Sequence, residues 1–273
     1  MRKICKAVLV AALGAIGFVP TAHATLVYST GFDAPTYTDN VLNVGTDTTT
    51  PGQDGWINSS GGGTNNIPVS NSATNGFVSL KTSGQDVRRL FNGGAAAAVA
   101  SGSVYLAADI TVSAAQATGD YALHLSDGGT SLFYSRTYIK ASGAGFVMAL
   151  GTSSGTAVTY GTTVLNFGTT YHVLDRYDFI PDVVVGTPND TGALYINPVT
   201  ADGSGDTPYV AATTTGTDAA SIDAVALRQG ATGSSATLTV DNIQVTTVPE
   251  PAAIALFGIA AIGLLRRRRP VVA

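Results

Sequence analysis

The carboxylates available for acid–base chemistry are almost all aspartates. Between residues 25 and 247 the chain has no glutamate, because its single glutamate is Glu250. A glycosidase that carries its acid and its nucleophile on one strand needs two carboxylates on the same face of the sheet. Asp175 and Asp178 are the densest acidic pair in a strand-like segment, but residues three apart on a strand point to opposite faces. The sequence therefore excludes a glutamate-based glycosidase of this kind and predicts no catalytic pair.

Serine and histidine offer no stronger candidates. Residues 151–155 match the G-x-S-x-G pattern of hydrolases, yet that pattern needs a strand-to-helix turn, and β-like segments stand on both sides here. His124 alternates with leucines, which predicts that it faces out of a sheet, and His172 begins another strand-like segment. Two isolated histidines do not form a zinc site. We assign no catalytic residue from the sequence.

One segment predicts a metal site. Residues 202–206 read Asp-Gly-Ser-Gly-Asp, and this alternation of short side chains and glycines resembles part of an oxygen-rich calcium loop. The segment lacks the bidentate glutamate of an EF-hand, and an ordinary Gly/Asp turn has the same composition. Calcium is thus the only cofactor that the sequence predicts, with Asp202 and Asp206 as its ligands.

Aromatic residues are candidates for stacking against sugar rings or for packing in a core. A sandwich of this size needs several aromatics in its core, so most of the set is expected to pack there. Trp56 follows a glycine-rich turn and is expected to close one end of the fold. The set comprises Tyr28, Tyr37, Trp56, Tyr134, Tyr138 and Tyr160.

The first 24 residues predict a secretory signal peptide. A basic start is followed by thirteen apolar residues, 7–19, and by Ala22-His23-Ala24, a small-residue cleavage site. Thirteen residues are too few to span a membrane, so we expect cleavage after Ala24. The only cysteine, Cys5, would leave with the signal, which excludes disulfides and cysteine nucleophiles in the mature chain.

Residues 248–273 predict a second targeting signal. Pro249-Glu250-Pro251 precedes fourteen uncharged residues, 252–265, and then four arginines, Arg266, Arg267, Arg268 and Arg269. Fourteen helical residues span about 21 Å, less than the roughly 30 Å hydrocarbon core, and the arginines resist translocation. This tail resembles the PEP-CTERM sorting signal of Gram-negative bacteria. The resemblance implies export, transient anchoring in the inner membrane, cleavage by an exosortase, and delivery to the cell surface or beyond.

The segment between the two signals, 25–247, is strongly acidic. It contains seven Lys and Arg residues against seventeen aspartates, a net charge of −10. Such a charge opposes binding to nucleic acid, and we predict no nucleic-acid partner.

Short alternating segments separated by Gly, Ser, Thr, Asn and Asp predict an all-β fold in one domain. Residues 77–80 and 87–91 are expected to pair with each other. Strands are predicted at 77–80, 87–91, 103–112, 121–125, 132–139, 145–150, 171–179, 193–196, 223–228 and 236–245.

The order of several short motifs resembles the concanavalin A/laminin-G-like jelly rolls. That resemblance implies a two-sheet antiparallel sandwich of about twelve strands, and relatives of this kind often hold a calcium ion at the sheet rim. The fold by itself assigns no activity. The motifs are residues 28–32, 52–56, 194–198, 222–228 and 238–245.

Together these features predict an exported, non-enzymatic surface or matrix protein that interacts with extracellular polysaccharide. A carbohydrate-active enzyme with an aspartate-based site is one alternative, and a purely structural surface protein is another.

Overall fold

A computed structural model describes residues 24–38, 40–43, 51–61, 64–92, 97–154, 158–182, 187–230 and 233–249. Within these ranges the chain forms fifteen strands and a single 3-10 turn, Gln53–Gly55. Residues Thr25–Thr247 make one compact unit. The predicted signal peptide and most of the predicted sorting tail, including Ala22, Glu250, Pro251 and the four arginines, lie outside the described residues.

The strands form two antiparallel sheets. The eight-stranded sheet has the order β13-β12-β11-β6-β15-β4-β3, and β1 pairs with β15 as well. Its strands are β1 (Thr25–Thr30), β3 (Val69–Ser70), β4 (Phe77–Leu80), β6 (Gly102–Ala114), β11 (Thr170–Phe179), β12 (Thr191–Ile196), β13 (Val210–Thr213) and β15 (Thr237–Val248).

The seven-stranded sheet has the order β10-β9-β8-β7-β14-β5-β2. Its long central strands β7, β8 and β9 carry the surface described below. The strands are β2 (Ile57–Ser60), β5 (Asp86–Leu90), β7 (Asp120–Ser126), β8 (Phe133–Ser142), β9 (Gly145–Ser153), β10 (Thr159–Tyr160) and β14 (Ala224–Leu227).

Alternation along the strands builds the core between the sheets. In β6 the apolar residues Val104, Leu106, Ala108, Ile110 and Val112 are all fully buried, as the sequence pattern predicts. The residues between them face the outer side of the sheet. The same alternation in β7, β9 and β14 supplies the opposing half of the core. The predicted all-β, two-sheet antiparallel jelly-roll sandwich is confirmed.

One predicted strand pairing is wrong. Residues 77–80 and 87–91 do not form a hairpin, because β4 pairs with β3 and β15, whereas β5 pairs with β2 and β14 in the other sheet. The connection crosses between the sheets, and the Gln229 side chain holds it by accepting from Lys81 N at 2.8 Å and donating to Gln85 O at 3.2 Å. A five-residue connection that contains Gly84 has the composition of a hairpin loop, so no local pattern indicates this crossing.

Candidate functional site

A row of tyrosines crosses the outer side of the seven-stranded sheet. Strand register places Tyr121 opposite Tyr138, Tyr138 opposite Ala149, and Ala149 opposite Tyr160, so the row spans four neighbouring strands. The Tyr121 and Tyr138 ring centroids are 5.2 Å apart. Ala149 is fully buried in the row, while Tyr138 and Tyr160 are half-buried. Two partly accessible rings thus lie about two strand spacings, roughly 10 Å, apart along one line.

Cationic side chains stack against these rings. The Arg136 guanidinium lies 5.4 Å from the Tyr121 ring centroid and 5.3 Å from that of Tyr138, and its Nη1 donates to Tyr138 Oη at 2.7 Å. Arg228 lies 4.2 Å over Tyr121, and Lys140 Nζ lies 4.0 Å over Tyr160. Cation–π contacts of this kind orient the rings and the charges together. We call this surface the aromatic–basic face; it comprises Tyr121, Phe133, Arg136, Tyr138, Lys140, Tyr160 and Arg228.

Close packing under the face fixes its side chains. A Cβ atom added at Gly151 would lie 3.0 Å from Tyr138 Cε2 and 3.3 Å from Arg136 Nη2, so glycine lets both side chains lie flat on β9. Gly119 has φ +70° and makes room for Lys140 and the Tyr160 hydroxyl. The arrangement is preorganised, which lowers the entropy lost when a ligand binds.

His124 lies beneath this face and faces out of the sheet as predicted, but at 3% exposure it is not a surface residue. Its ring packs edge-on against Tyr121 and Phe133, with centroids 5.2 and 4.7 Å apart. Burial, with the charges of Arg228 and Arg136, lowers the His124 pKa to about 3. The histidine is therefore a neutral packing residue at physiological pH, and it leaves the positive charge of the face to Arg and Lys.

The other predicted aromatic candidates belong to the interior. Trp56 is fully buried, and its Nε1 donates to Tyr37 Oη at 3.2 Å. The hydroxyls of Tyr28 and Tyr37 donate to Asp54 Oδ2 at 2.9 and 3.1 Å. These contacts are structural, because they consume the polar groups of the rings inside the protein. We call this group the Trp56 cluster; it comprises Tyr28, Phe32, Tyr37, Asp54 and Trp56. Tyr134 is also buried.

The aspartates of β11 lie on opposite faces, as the alternation predicts. Asp175 points into the core with no exposure and accepts from Ser135 Oγ at 2.6 Å and Thr137 Oγ1 at 3.1 Å. Burial raises the pKa of Asp175 to about 8, against the bonds from these hydroxyls, which lower it. Asp178 faces outward in an ion pair with Arg176 at 2.7 Å. The two carboxylates therefore do not share a site.

The remaining catalytic candidates are equally separate. Ser153 of the G-x-S-x-G segment is the last residue of β9 and is buried, rather than exposed on a strand-to-helix turn. His172 lies near the start of β11 with its side chain 46% exposed, and its Nδ1 lies 2.8 Å from Asp109 Oδ1.

Asp202 and Asp206 cap a turn in the structure. Asp206 Oδ2 accepts from Val199 N at 3.0 Å and from Thr200 N at 3.2 Å, and Asp202 Oδ1 accepts from Ser204 N at 2.9 Å. Across the described ranges, no group of three or more His, Cys, Asp or Glu side chains is placed to hold a metal. Calcium binding at these two residues remains a prediction.

An open groove of about 680 Å³ lies on the eight-stranded sheet. Its polar lining includes Asp33, Asp54, His172 and Asn242, which suits water or small polar groups. However, Asp33 Oδ1 accepts from Gly76 N at 2.8 Å, Asp54 belongs to the Trp56 cluster, and Asn242 Nδ2 donates to Asp109 at 2.8 Å. These side chains hold the loops around the groove, and the aromatic–basic face is the stronger binding candidate.

The comparison with protein families decides the nature of the tail. Residues 247–269 match the PEP-CTERM protein-sorting motif. The chain carries a PEP-CTERM sorting signal. This confirms the resemblance on Pro249-Glu250-Pro251 and indicates an exported protein that is transiently anchored in a membrane and processed by an exosortase. In the part of the chain that the structure covers, no helix is long and apolar enough to cross a membrane.

No curated protein matches the sequence. Among solved structures, the CBM2 module of the evolved Dit of Lactobacillus casei BL23 phage J-1 is 12% identical, with a TM-score of 0.43, over 84% of this chain and 98% of that one. The carbohydrate binding module CBM66 from Bacillus subtilis is 14% identical, with a TM-score of 0.41, over 71% and 96%. A SAP-like pentraxin from Limulus polyphemus is 14% identical, with a TM-score of 0.35, over 54% and 64%. At these values, function has to be argued from the chain's own surface.

Proposed function

We propose that the protein is a non-enzymatic surface or extracellular-matrix component that binds polysaccharide through the aromatic–basic face. The observation that carries this proposal is the row of half-buried tyrosines on rigid neighbouring strands. Tyrosine rings offer flat apolar surfaces with a polar rim, which suits the stacking of sugar rings. Lys140 supplies hydrogen-bond donors beside them, because an ammonium group donates without accepting.

The non-enzymatic part of the proposal rests on the placement of carboxylates. The acidic residues nearest the aromatic–basic face are engaged by basic groups, as in the 2.6 Å ion pair between Asp120 and Arg228 Nη1. Asp175 is buried in the core and Asp178 is paired with Arg176. A glycosidase of the usual kind needs an acid and a second carboxylate facing one substrate. Asp86 and Asp120, two carboxylates beside the face, both contact Arg228, which supports a binding surface rather than a hydrolytic site.

Binding is tested by presenting the exported protein to a glycan array with matched variants. Tyr138→Ala and Tyr160→Ala should each weaken binding by about tenfold or more, the loss that removal of a central aromatic contact commonly causes. Tyr195→Ala removes a tyrosine from the outer side of the other sheet and serves as the control, with binding unchanged. Equal losses in all three variants, or no bound glycan, would contradict the proposal. Release of reducing ends from a bound polysaccharide would favour the aspartate-based enzyme instead.

Processing is tested separately at the two chain ends. Mass spectrometry of the mature protein should find a chain that begins at Thr25 and lacks the cluster Arg266–Arg269. Glu250→Ala should trap an uncut form at the membrane, because it alters the motif that the exosortase is proposed to recognise. An intact C-terminus on mature surface protein, in cells with a working exosortase, would contradict the proposed processing.

A further inference from the structure

The basic residues of the acidic segment 25–247 are unevenly distributed. It has only seven Lys and Arg residues, and three of them, Arg136, Lys140 and Arg228, belong to the aromatic–basic face. A fourth, Arg88, lies on the same side of the sheet, because it shares a row with Ala226 and His124. A domain of net charge −10 thus collects most of its positive charge on one surface.

Two of these cations have no acidic partner. Arg228 is paired with Asp120 and, at 3.9 Å, with Asp86, but within the described ranges no carboxylate lies within 4.0 Å of Arg136 or Lys140. Arg136 is only 7% exposed, and its Nε has no hydrogen-bond partner among the described groups. A buried guanidinium without a counter-ion is costly, and an anion arriving from solvent reduces that cost. Arg136 and Lys140 are therefore the two cations of the face that lack a counter-ion among the described residues.

We infer that the ligand of the aromatic–basic face is an acidic polysaccharide whose carboxylates bind at Lys140, with Arg136 reinforcing the positive potential behind it. This inference rests on the proposed carbohydrate binding and adds the charge of the ligand. Lys140 is half-buried, and its ammonium lies 4.0 Å from the Tyr160 ring centroid. A sugar stacked beside that ring places its acidic substituent within ionic reach. Screening over about 8 Å at physiological salt weakens the repulsion from aspartates elsewhere on the domain.

The test compares two forms of one polymer. Polygalacturonate and its methyl ester share a backbone and differ in whether the carboxylates are free, so their affinity ratio isolates charge. The exported protein should prefer the free acid, and added salt should reduce that preference. Lys140→Gln should lower the affinity for the acid by up to about fivefold more than it lowers the affinity for the ester, the size expected for one exposed ionic contact. Lys140→Arg should keep the preference.

The outcomes separate this inference from the proposed function. Equal binding of the two polymers by the unchanged protein, or an unchanged preference in Lys140→Gln, would overturn the acidic ligand while carbohydrate binding stands. Absence of binding to every glycan of the array would remove the proposed function and this inference together. Thermal unfolding of each variant checks that its fold is intact.

Discussion

The Trp56 cluster and the aromatic–basic face are built from the same residue types. Each contains tyrosines, and each has an arginine over a ring, Arg89 at 5.1 Å from Tyr28 in one and Arg228 at 4.2 Å from Tyr121 in the other. Each also has an aspartate beside that arginine, Asp54 at 3.7 Å and Asp120 at 2.6 Å. Composition alone does not tell them apart.

Burial and the use of polar groups separate the two regions. In the Trp56 cluster the rings are buried, and the Tyr28 and Tyr37 hydroxyls both donate to one carboxylate. On the aromatic–basic face, Tyr138 and Tyr160 remain half-buried, and Lys140 has no acidic partner within the described ranges. The first arrangement stabilises the fold, whereas the second leaves rings and charge for a ligand. Whether an aromatic cluster stabilises the fold or binds a ligand is thus decided by which ring faces are accessible and which charges are unpaired.

The largest expected effect is on stability, and it tests this distinction directly. Trp56→Ala removes a fully buried ring and should lower the free energy of unfolding by about 3–5 kcal/mol. Tyr160→Ala on the aromatic–basic face is the matched comparison and should cost clearly less, because that ring is half-buried. Denaturant midpoints measure both. A Trp56 variant as stable as the Tyr160 variant would break the distinction.

A second prediction concerns Asp175, the carboxyl that is buried between the two sheets. Asp54 of the Trp56 cluster has Arg89 beside it, whereas the groups that bond Asp175 are the hydroxyls of Ser135 and Thr137. The Asp175 pKa is raised to about 8 from an ordinary 3.8, so the folded state binds an extra proton between these values. Its contribution to stability is full below pH 3.8 and is lost as pH rises through 8. In the unchanged protein the free energy of unfolding should therefore fall by up to about 1.4 kcal/mol for each pH unit between these values. Asp175→Asn should remove this fall. Unfolding curves between pH 4 and 8 measure the difference; parallel curves would contradict it.

His124 gives the opposite slope from beneath the aromatic–basic face. Its pKa falls to about 3 from 6.5, so the unfolded state binds the extra proton, and stability is lost as pH falls from 6.5 towards 3. His124→Phe keeps a packed ring and should remove this acid loss. Between pH 4 and 6.5 the contributions of Asp175 and His124 to the free energy of unfolding change with pH in opposite directions and partly cancel in the unchanged protein. Relative to that protein, stability should therefore rise with pH in Asp175→Asn and fall with pH in His124→Phe. If both variants changed the pH dependence of stability in the same direction, the two pKa shifts would be wrong.

The smallest expected effect is that of calcium on the turn at Asp202 and Asp206. Binding to the folded state alone raises the free energy of unfolding by about 0.4 kcal/mol when the calcium concentration equals the dissociation constant. A small rise in melting temperature at millimolar calcium should disappear in the Asp202→Asn, Asp206→Asn double variant. No rise in the unchanged protein would retire the calcium prediction. Magnesium at the same concentration controls for ionic strength.

The sequence predicts the long strands well, because alternation is strong where one face is buried. Residues 103–112 fall within β6, and 171–179 within β11. Short strands such as β3 and β10 have only two residues and carry no readable period. The choice of sheet for β4 and β5 depends on a crossing held by Gln229, more than a hundred residues away, and local patterns do not contain that information.

The candidate site was only partly predictable. Tyr138 and Tyr160 belong to the aromatic set that the sequence offers for sugar stacking. No local sequence pattern distinguishes them from Tyr134, which is buried. Tyr121 and Phe133 were missed. Register shifts in the pairing of β7 with β8 break the simple alternation there, so the direction of each side chain depends on tertiary structure. A pattern that could have indicated the site is a basic residue two positions from an aromatic residue on the same strand face, as with Arg136 and Tyr138, in a segment that has few basic residues.

The position of β15 dictates when the domain can be completed. It is the last strand among the described residues, yet it lies inside its sheet between β6 and β4, and Thr247 pairs with Thr25 at the start of β1. A chain that emerges N-terminus first therefore cannot close this sheet until nearly all of residues 25–247 have emerged. Pairings this distant in sequence form slowly. Completion of the sandwich therefore has to wait for the residues directly before Pro249, the first residue of the sorting motif.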